Sequence, residues 1–411
     1  MGRSHYDYLI IGGGLAGATA VKELLLTGAQ GSIGMLAAET ELPYERPPLS
    51  KDFLLDQAPR ASVFLLGERV YREHGVGLHL GTPAASVSPG LHLVTSAGGD
   101  EFEYGRLLIA SGCAVRRLRI PGADLPGLFY LRTLADAEAL RQAIAGGGHA
   151  VVIGGGFIGL EVASALAQRD IGVTIVHRAD RLFERFASEE LCTFFERHYL
   201  DHGVHVVYED EVRRLEGDGR LRKVVTRAGR TLPCDFACAG IGVEPGVAYL
   251  DGSGIEINNG IVVNEYLEAG APDVFAAGDV ANFFDPVFGR RRRLEHWDNA
   301  ITLGRLAARN MAGAREPYAG VSYFYSTVFG ITYEFFGDMS GYDEMVTRGS
   351  FDRKTAALLY LSGGVLKAAL LLNRSPAERR AVKQLIVSRQ QIGSLQEQLA
   401  DDHFMLERAL A

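Results

Sequence analysis

The stretch Asp7-Tyr8-Leu9-Ile10-Ile11-Gly12-Gly13-Gly14-Leu15-Ala16-Gly17 decides the fold of this chain. Its apolar run predicts a buried parallel strand over Tyr6–Ile11, and the alanine-rich sequence that follows predicts a helix from Leu15 to about Leu26. Between them, Gly-x-Gly-x-x-Gly lets the chain turn off the strand, lets the backbone approach a pyrophosphate and lets the helix pack close to the sheet. The N–H groups at the start of the helix attract the anion. We therefore predict a dinucleotide-binding unit.

The same pattern returns in Ala150-Val151-Val152-Ile153-Gly154-Gly155-Gly156-Phe157-Ile158-Gly159-Leu160-Glu161. A helix running to about Gln168 and a strand over Gly172–Val176 follow it. Two complete patterns in one chain are far more specific than one, and they predict two nucleotide cofactors. The sequence thus indicates an α/β protein with two Rossmann-like nucleotide-binding domains.

An acid follows the second strand of the first unit, which we predict over Ser32–Ala37. Glu39 stands about 20 residues after Gly17, where a carboxylate accepts hydrogen bonds from a ribose diol. The alternative is a solvated surface acid, and the spacing favours the ribose.

The second unit has no acid at this place. His177 and Arg178 stand there instead, with Arg181 and Arg185 nearby. Guanidinium groups bind a 2′-phosphate in a bidentate manner, so the sequence favours NADPH. The alternative is that these arginines are solvated and that the nucleotide is NADH.

Composition limits the classes of function. With 411 residues, 47% apolar residues and 22% charged residues, the chain suits two or three globular domains. The net charge of −8 argues against nucleic acid and anionic membranes as partners. No apolar run approaches a membrane span, and four scattered cysteines suggest neither a disulfide framework nor a metal site. We expect a reducing, cytoplasmic setting.

A loop with three prolines, Leu42–Asp52, has a rigid path. It either places Arg46 and Lys51 beside a ligand or is an ordinary surface loop. Farther on, an apolar strand ends in Gly278-Asp279, where the carboxylate can bind a sugar-like hydroxyl. Arg290–Arg293 is either a docking surface for an acidic partner or a solvated hairpin tip.

The pattern changes after about Gly320, where a separate α+β domain is predicted. It contains a hairpin of Ala356–Leu361 and Val365–Leu372, a helix capped by Ser375, and a final amphipathic helix over Ile392–Ala411. We expect residues 1–115 and 243–320 to form one domain, residues 116–242 a second and residues 321–411 a C-terminal interface domain.

Together these motifs resemble the FAD-dependent NAD(P)H reductases of the putidaredoxin reductase type, which include ferredoxin and rubredoxin reductases and are related to monodehydroascorbate reductases and apoptosis-inducing factor. The most specific pieces are Pro43–Lys51, the two glycine patterns, Gly278-Asp279-Val280 and Glu295–Ala300. The resemblance implies a glutathione reductase-like two-dinucleotide fold with a C-terminal α+β domain. The segment Tyr323-Phe324-Tyr325-Ser326 looks more like the monodehydroascorbate reductases.

The resemblance also assigns residues to the cofactors. It implies that FAD is bound by Gly12, Gly14, Leu15, Ala16, Gly17, Glu39, Arg46, Lys51, Ala84, Ala110, Arg132, Gly278, Asp279, Trp297 and Ala300. It implies that NADPH or NADH is bound by Gly154, Gly156, Phe157, Ile158, Gly159, His177, Arg178, Arg185 and Gly242.

By the same resemblance the reaction is hydride transfer from NAD(P)H to the flavin, with Lys51, Glu161 and Trp297 as catalytic residues and no metal. Lys51, paired with Glu161, would lie near flavin N5 and stabilise the charge of the reduced flavin. No cysteine pair stands where a dithiol relay would need it, so we expect the electron acceptor to be an acidic ferredoxin or a rubredoxin-type protein. We expect the enzyme to be a monomer or a homodimer. The alternatives are a monodehydroascorbate or quinone reductase, and a redox-sensing interaction protein.

Overall fold

Two structural units share the chain in alternating segments. The computed structural model describes residues 2–410. The first unit contains the chain up to Glu45, residues 63–114 and residues 244–324, and the second contains residues 46–62, residues 115–243 and the chain from Tyr325 onward. Among the described residues, no helix combines the length and the apolar character needed to cross a bilayer.

The first glycine-rich turn follows a central strand of a seven-stranded sheet. The strand Arg3–Ile11 pairs in parallel with Ile33–Leu36 on one side and with Glu101–Ile109 on the other. Leu9 and Ile10 are fully buried, since strands of a parallel sheet are covered on both faces. The strands in order are Gly77–His79, Ile33–Leu36, Arg3–Ile11, Glu101–Ile109, Leu93–Ser96 and Ala84–Ser88, with Val274–Ala276 also on Glu101–Ile109.

Close backbone contacts make glycine necessary in the first turn. Gly12 has φ +123°, and a Cβ on it would lie 2.2 Å from the carbonyl oxygen of Ala110. A Cβ on Gly17 would lie 2.1 Å from the carbonyl oxygen of Gly12. The helix Leu15–Leu26 therefore starts directly against the end of the strand. The other helices of this unit are Glu68–Glu73 and Trp297–Met311, and its small second sheet contains Ile261–Val262, Ala281–Asp285 and Arg290–Arg292.

The second unit repeats this arrangement in a parallel sheet of five strands. A Cβ on Gly159 would lie 2.0 Å from the carbonyl oxygen of Gly154, which matches the contact in the first turn. The strands in order are Val204–Val207, Gly172–Val176, His149–Ile153, Phe236–Ala239 and Leu128–Tyr130. The helices are Leu134–Ala145, Phe157–Ala167 and Glu189–Asp201, and an antiparallel sheet contains Val212–Glu216, Lys223–Thr226 and Thr231–Pro233.

The C-terminal region is an antiparallel sheet with helices, as the sequence predicts. The helix Pro376–Ser388 begins after Ser375, whose Oγ accepts a hydrogen bond from the Glu378 N–H at 3.2 Å. The strands in order are Tyr323–Val328, Ile331–Gly337, Val365–Leu372, Thr355–Ser362 and Glu344–Ser350. The remaining short elements are the strands Cys113–Val115 and Val243–Pro245, the helix Gln396–Ala400 and the 3₁₀ turns Pro47–Ser50, Arg60–Val63, Pro89–Leu91, Glu184–Phe186, Ala248–Leu250, Gly278–Val280, Gly393–Leu395 and Leu406–Leu410.

The predicted amphipathic helix over Ile392–Ala411 is wrong for the described part of that segment. Only the five residues Gln396–Ala400 are α-helical, and Ala411 lies outside the described residues. The physical reason is the buried side chain of Arg348. Its guanidinium donates to the carbonyl oxygens of Leu399 at 3.3 Å, Asp402 at 3.2 Å and Phe404 at 2.5 Å, and also to that of Asp401. Carbonyl groups bound in this way do not need helical N–H partners.

A buried ion-pair network holds this segment. Glu378 accepts from Arg348 Nε at 2.8 Å and from Arg374 Nε at 2.5 Å, and Arg374 Nη2 lies 2.7 Å from Asp402 Oδ1. The side chains of Arg348, Arg374 and Glu378 are 4%, 7% and 9% exposed. Two guanidinium groups are thus neutralised by one buried carboxylate with help from Asp402.

We expect Glu378→Gln to lower the free energy of unfolding by about 3 kcal/mol, because the change leaves two buried guanidinium groups without their shared carboxylate. Urea unfolding followed by circular dichroism measures this loss. Glu397→Gln, at an exposed position of the short helix Gln396–Ala400, is the matched control and should change stability by less than about 0.5 kcal/mol. Equal effects of the two variants would contradict the assignment.

Candidate functional site

A buried carboxylate lies in the helix that follows the second glycine turn. Glu161 Oε1 is 2.7 Å from Lys51 Nζ, and their side chains are 5% and 15% exposed. The Ser50 hydroxyl donates to Oε2 at 2.5 Å, and the Ser326 hydroxyl donates to Oε1 at 2.5 Å. One cationic and two neutral donors satisfy a charge that would be costly to bury alone. The predicted Lys51–Glu161 pair is therefore present in the second unit.

The proline-rich loop places Lys51 by local bonds. Its prolines open the 3₁₀ turn Pro47–Ser50, and the Lys51 N–H donates to the Pro48 carbonyl at 3.0 Å. Leu49 is buried within the same turn. The fixed φ angle of proline limits the paths that the loop can take. The loop is thus built to hold Lys51 in one place.

Two further predicted FAD contacts, Arg46 and Arg132, are joined within the second unit. Arg46 Nε donates to the Arg132 carbonyl at 3.1 Å. Arg132 precedes a capping box in which Thr133 Oγ1 accepts from the Asp136 N–H at 3.1 Å, while Asp136 Oδ2 accepts from the Thr133 N–H at 2.8 Å. The Arg132 N–H also donates to Asp136 Oδ2 at 3.1 Å, so the backbone at Arg132 is well ordered by the cap.

The first unit carries the other predicted FAD residues. The helix that contains Leu15, Ala16 and Gly17 has Gly14 as N-cap, with no capping side chain and no acid in its first turn. Its N–H groups are therefore not used by a side-chain cap. Glu39 follows the second strand and is partly buried, and the Tyr44 hydroxyl donates to Glu39 Oε2 at 2.5 Å.

The remaining residues of that set lie at the ends of strands or at the start of a helix. Ala84 begins a strand, and Ala110 directly follows the strand Glu101–Ile109. Asp279 is in the 3₁₀ turn Gly278–Val280 and is partly buried. Ala300 is buried in the first turn of the helix Trp297–Met311.

Two ring nitrogens at the start of that helix are buried and unpaired. Trp297 Nε1 and His296 Nδ1 have no hydrogen-bond partner among residues 2–410. Burial, with a smaller contribution from the charge of Arg292, lowers the pKa of His296 to about 4, against the opposing effect of Asp279. His296 is therefore neutral at pH 7, and both nitrogens are in position for a bound group to satisfy them.

The residues predicted to bind the nicotinamide dinucleotide surround the second glycine turn. The helix Phe157–Ala167 also lacks a capping side chain and a first-turn acid, and Ile158 in its first turn is 46% exposed. Gly242 follows at positive φ after the strand Phe236–Ala239. His177 Nδ1 lies 3.2 Å from the Gly155 backbone nitrogen, which donates to it.

The arginines near this turn have different environments. Burial lowers the pKa of His177, which favours the neutral form of the imidazole. Arg181 is paired with Glu196 at 2.8 Å. The Arg185 guanidinium lies over the Phe157 ring at 4.6 Å from its centroid, and Arg178 is exposed. Arg178, two residues after the strand Gly172–Val176, and Arg185 are thus both exposed, whereas Arg181 is partly buried.

Most side chains of the run Arg290–Arg293 form ion pairs or hydrogen bonds with other residues of the protein. Arg292 pairs with the fully buried Asp285 at 2.9 Å, and Arg293 pairs with Glu295 at 2.8 Å. Arg291 Nη1 donates to the carbonyl oxygens of Val263 at 2.7 Å and of Asn282 at 3.1 Å. Three of the four guanidinium groups therefore already have partners within the protein. This weakens the hypothesis that the run is a docking surface for an acidic partner.

The cysteines are placed as packing residues. All four are buried, and none forms a disulfide. Burial raises the pKa of the Cys234 and Cys238 thiols to about 12, so that neither is a thiolate at neutral pH. Cys234 directly follows the strand Thr231–Pro233 and Cys238 lies in the strand Phe236–Ala239, where both serve as packing residues.

Two residues of the buried carboxylate site were missed by reasoning from the sequence. Ser50 stands within the proline-rich motif, and Ser326 stands in an aromatic strand that the sequence does not connect with Glu161. The one available signal is a small hydroxyl at a buried position, since Ser326 is 1% exposed. Such a signal indicates a hydrogen bond but does not identify its acceptor.

The match to known families covers nearly the whole chain. Residues 6–304 match the family described as pyridine nucleotide-disulphide oxidoreductase, and residues 323–410 match the family described as reductase C-terminal. The chain is 36% identical to the 5,5′-dehydrodivanillate O-demethylase ferredoxin reductase subunit of Sphingobium sp., over 90% of this chain and 91% of that protein. It is 32% identical to a monodehydroascorbate reductase of Pisum sativum, over 92% and 93%.

Solved structures agree with these matches. The reductase in the covalent putidaredoxin reductase–putidaredoxin complex is similar with a TM-score of 0.93 and 30% identity, over 98% of each chain. The ferredoxin reductase of the CYP199A2 system from Rhodopseudomonas palustris has a TM-score of 0.93 and 32% identity, over 98% of this chain and 100% of that one. The predicted resemblance, the fold class and the use of FAD and NAD(P)H are confirmed.

We expect stability to fall more steeply with acidification because of His296. Below its unfolded-state pKa of 6.5 the unfolded chain binds a proton that the folded chain, with a pKa of about 4, does not bind. At about pH 5 this costs about 2 kcal/mol. In His296→Asn the loss of unfolding free energy between pH 7 and pH 5 should be smaller by that amount, measured by urea unfolding. The exposed His205→Asn is the control and should retain the wild-type slope.

Proposed function

This chain belongs to the pyridine nucleotide-disulphide oxidoreductase family, and we propose that it passes electrons from NADPH through FAD to a small iron–sulfur protein of the ferredoxin or rubredoxin class. The observation that carries this proposal is the buried Lys51–Glu161 pair beside a nucleotide-binding turn, in a chain without a thiol pair. Relatives named as a ferredoxin reductase subunit and as rubredoxin-NAD(+) reductase support the acceptor class.

The residues of the first unit fit FAD. The contacts of Gly12 and Gly17 leave the start of the helix open to a pyrophosphate, and the uncapped N–H groups after Gly14 can bind it. Glu39 would bind the ribose and Asp279 the ribityl chain. The buried unpaired nitrogens of His296 and Trp297 are polar groups that a bound cofactor would satisfy.

When bound, FAD would supply the chemistry that no side chain provides, which is acceptance of a hydride and release of electrons one at a time. The work of the protein is to bind, orient and stabilise. Lys51 contributes a fixed positive charge, which favours an electron-rich partner. Glu161 neutralises that charge before the reaction and holds the ammonium group in place.

The absence of a thiol relay supports a one-electron acceptor. Disulfide reductases with this architecture need a cysteine pair, and here the loop of Lys51 and the helix of Glu161 contain none. The four cysteines are buried and form no disulfide with one another. Burial raises the pKa of Cys234 and Cys238 to about 12, so both are protonated thiols at pH 7. A small redox protein is therefore the proposed electron acceptor. Monodehydroascorbate and quinones are the competing acceptors that the test below distinguishes.

We propose NADPH over NADH because of Arg178. It is exposed, it stands two residues after the strand Gly172–Val176, and together with His177 it occupies the place at which NADH sites carry an acid. Arg185 lies near the start of the helix Phe157–Ala167, because its guanidinium stacks over the Phe157 ring. We further propose that residues 1–115 and 243–320 bind FAD, that residues 116–242 bind NADPH and that residues 321–411 form a C-terminal interface domain. We place the protein in the cytoplasm.

The test is an anaerobic titration of the purified protein, followed by an acceptor screen. The protein should be yellow, and NADPH should bleach the flavin absorbance. Turnover should then require an acidic ferredoxin or a rubredoxin-type protein and should slow as salt rises. A colourless protein would overturn the proposal, and turnover with monodehydroascorbate or quinone but with no iron–sulfur protein would select the competing function.

We expect Arg178→Asp to raise the KM for NADPH about tenfold, because it replaces a phosphate-binding guanidinium with a like charge, and to leave the KM for NADH nearly unchanged. Steady-state kinetics with both nucleotides measures the difference. Arg213→Asp, at an exposed position in the strand Val212–Glu216 of the same unit, is the control. An equal rise for NADPH and NADH would count against the NADPH assignment.

A further inference from the structure

A donor from the C-terminal region reaches the carboxylate that neutralises Lys51. Ser326 lies in the strand Tyr323–Val328, and its hydroxyl donates to Glu161 Oε1 at 2.5 Å. The same oxygen is the one that lies 2.7 Å from Lys51 Nζ. Ser326 therefore shares its acceptor atom with the ammonium group.

Three separate segments of the chain meet at this carboxylate. Glu161 comes from the helix Phe157–Ala167, Ser50 and Lys51 come from the proline-rich loop, and Ser326 comes from a strand more than 150 residues later in the chain. Rotation of a carboxyl group about its last bond has broad minima, so one partner alone does not fix the two oxygens. Donors to both oxygens do fix them.

The buried hydroxyl of Ser326 interacts with the Glu161 carboxylate and also with the Tyr333 phenol, where burial raises the pKa and the bond to Ser326 opposes that rise. The side chain is 1% exposed and Glu161 is 5% exposed, so an unpaired oxygen of either would be costly. Nearby phenols add no negative charge, since burial raises the pKa of Tyr199 and Tyr333. The neighbouring Thr327 instead bonds to Thr332 at 2.9 Å, within its own sheet.

We propose that Ser326, together with Ser50, is a positioning residue for hydride transfer, because it orients the Glu161 carboxylate and thereby holds Lys51. The C-terminal region then takes part in the first half of the reaction, the reduction by NADPH, and its role is not limited to an interface. This inference rests on the proposed function for the role of Lys51, but the bond itself can be tested without turnover.

The first test measures positioning in the holoenzyme. Ser326→Ala should slow reduction of the flavin by NADPH about tenfold, with little change in the KM for NADPH and in the bound FAD. The flavin reduction potential should become more negative, because a misplaced Lys51 stabilises the reduced flavin less. Ser326→Thr keeps the hydroxyl and should restore both quantities. Thr327→Val, which removes the adjacent hydroxyl of the same strand, should leave them unchanged.

A second measurement asks whether Ser326 acts through the carboxylate. Unfolding free energies of Ser326→Ala, Glu161→Gln and the double variant form a cycle, and the losses should be clearly non-additive. Ser50→Ala, which acts on the other oxygen, should shift the reduction potential in the same direction and keeps the test open if Ser326→Ala does not fold. Additive losses with an unchanged potential in Ser326→Ala and Ser50→Ala would overturn the inference.

Failure of the proposed function and failure of the positioning role give different results. If the wild-type protein binds no FAD or is not reduced by NADPH, the proposed function fails. If the wild-type protein is reduced normally and Ser326→Ala is reduced at the same rate and potential, only the positioning role fails.

Discussion

The two nucleotide-binding units depend on a close contact between a backbone carbonyl oxygen and a glycine, at the place where any other residue would have its Cβ. In both glycine turns the third glycine lies against the carbonyl of the first, at a distance that no Cβ would tolerate. The helix therefore starts directly at the end of its strand, and its unpaired N–H groups face the same edge as the strand. This edge is where parallel sheets bind nucleotides. Because the constraint is local, it appears twice in one chain with the same geometry, at Gly17 and at Gly159.

The second helix combines two electrostatic roles within its first turns. Its N-terminus has neither a capping side chain nor an acid, which leaves a positive end for phosphate groups. Its second turn carries Glu161, an anion that burial would disfavour without its three donors. The helix thus presents an anion site at its end and a cation site on its side. Lys51 is held by the latter, and the proline-rich loop limits how far it can move.

Burial decides what the arginines of this chain do. Arg292, Arg348 and Arg374 have side chains no more than 8% exposed, and each is paired with a buried carboxylate. Their guanidinium groups stabilise a hairpin and the C-terminal segment, because removing either partner would leave a buried charge. Arg178, by contrast, is exposed, and it is the residue that we propose for the 2′-phosphate of NADPH. A run of basic residues in a sequence is therefore not in itself a binding surface.

The sequence by itself determined the two glycine turns and the two cofactors, because these depend on local spacing. The Lys51–Glu161 pair was expected only from the family resemblance, since its members lie 110 residues apart in the chain. It did not determine the end of the chain, where amphipathic spacing predicted a helix and Arg348 takes the carbonyl groups instead. Nor did it connect Ser326 with Glu161, or distinguish the paired Arg181 from the exposed Arg178. Only the tertiary structure decided these points, since hydrogen bonds between residues far apart in the chain leave no periodic signal in it.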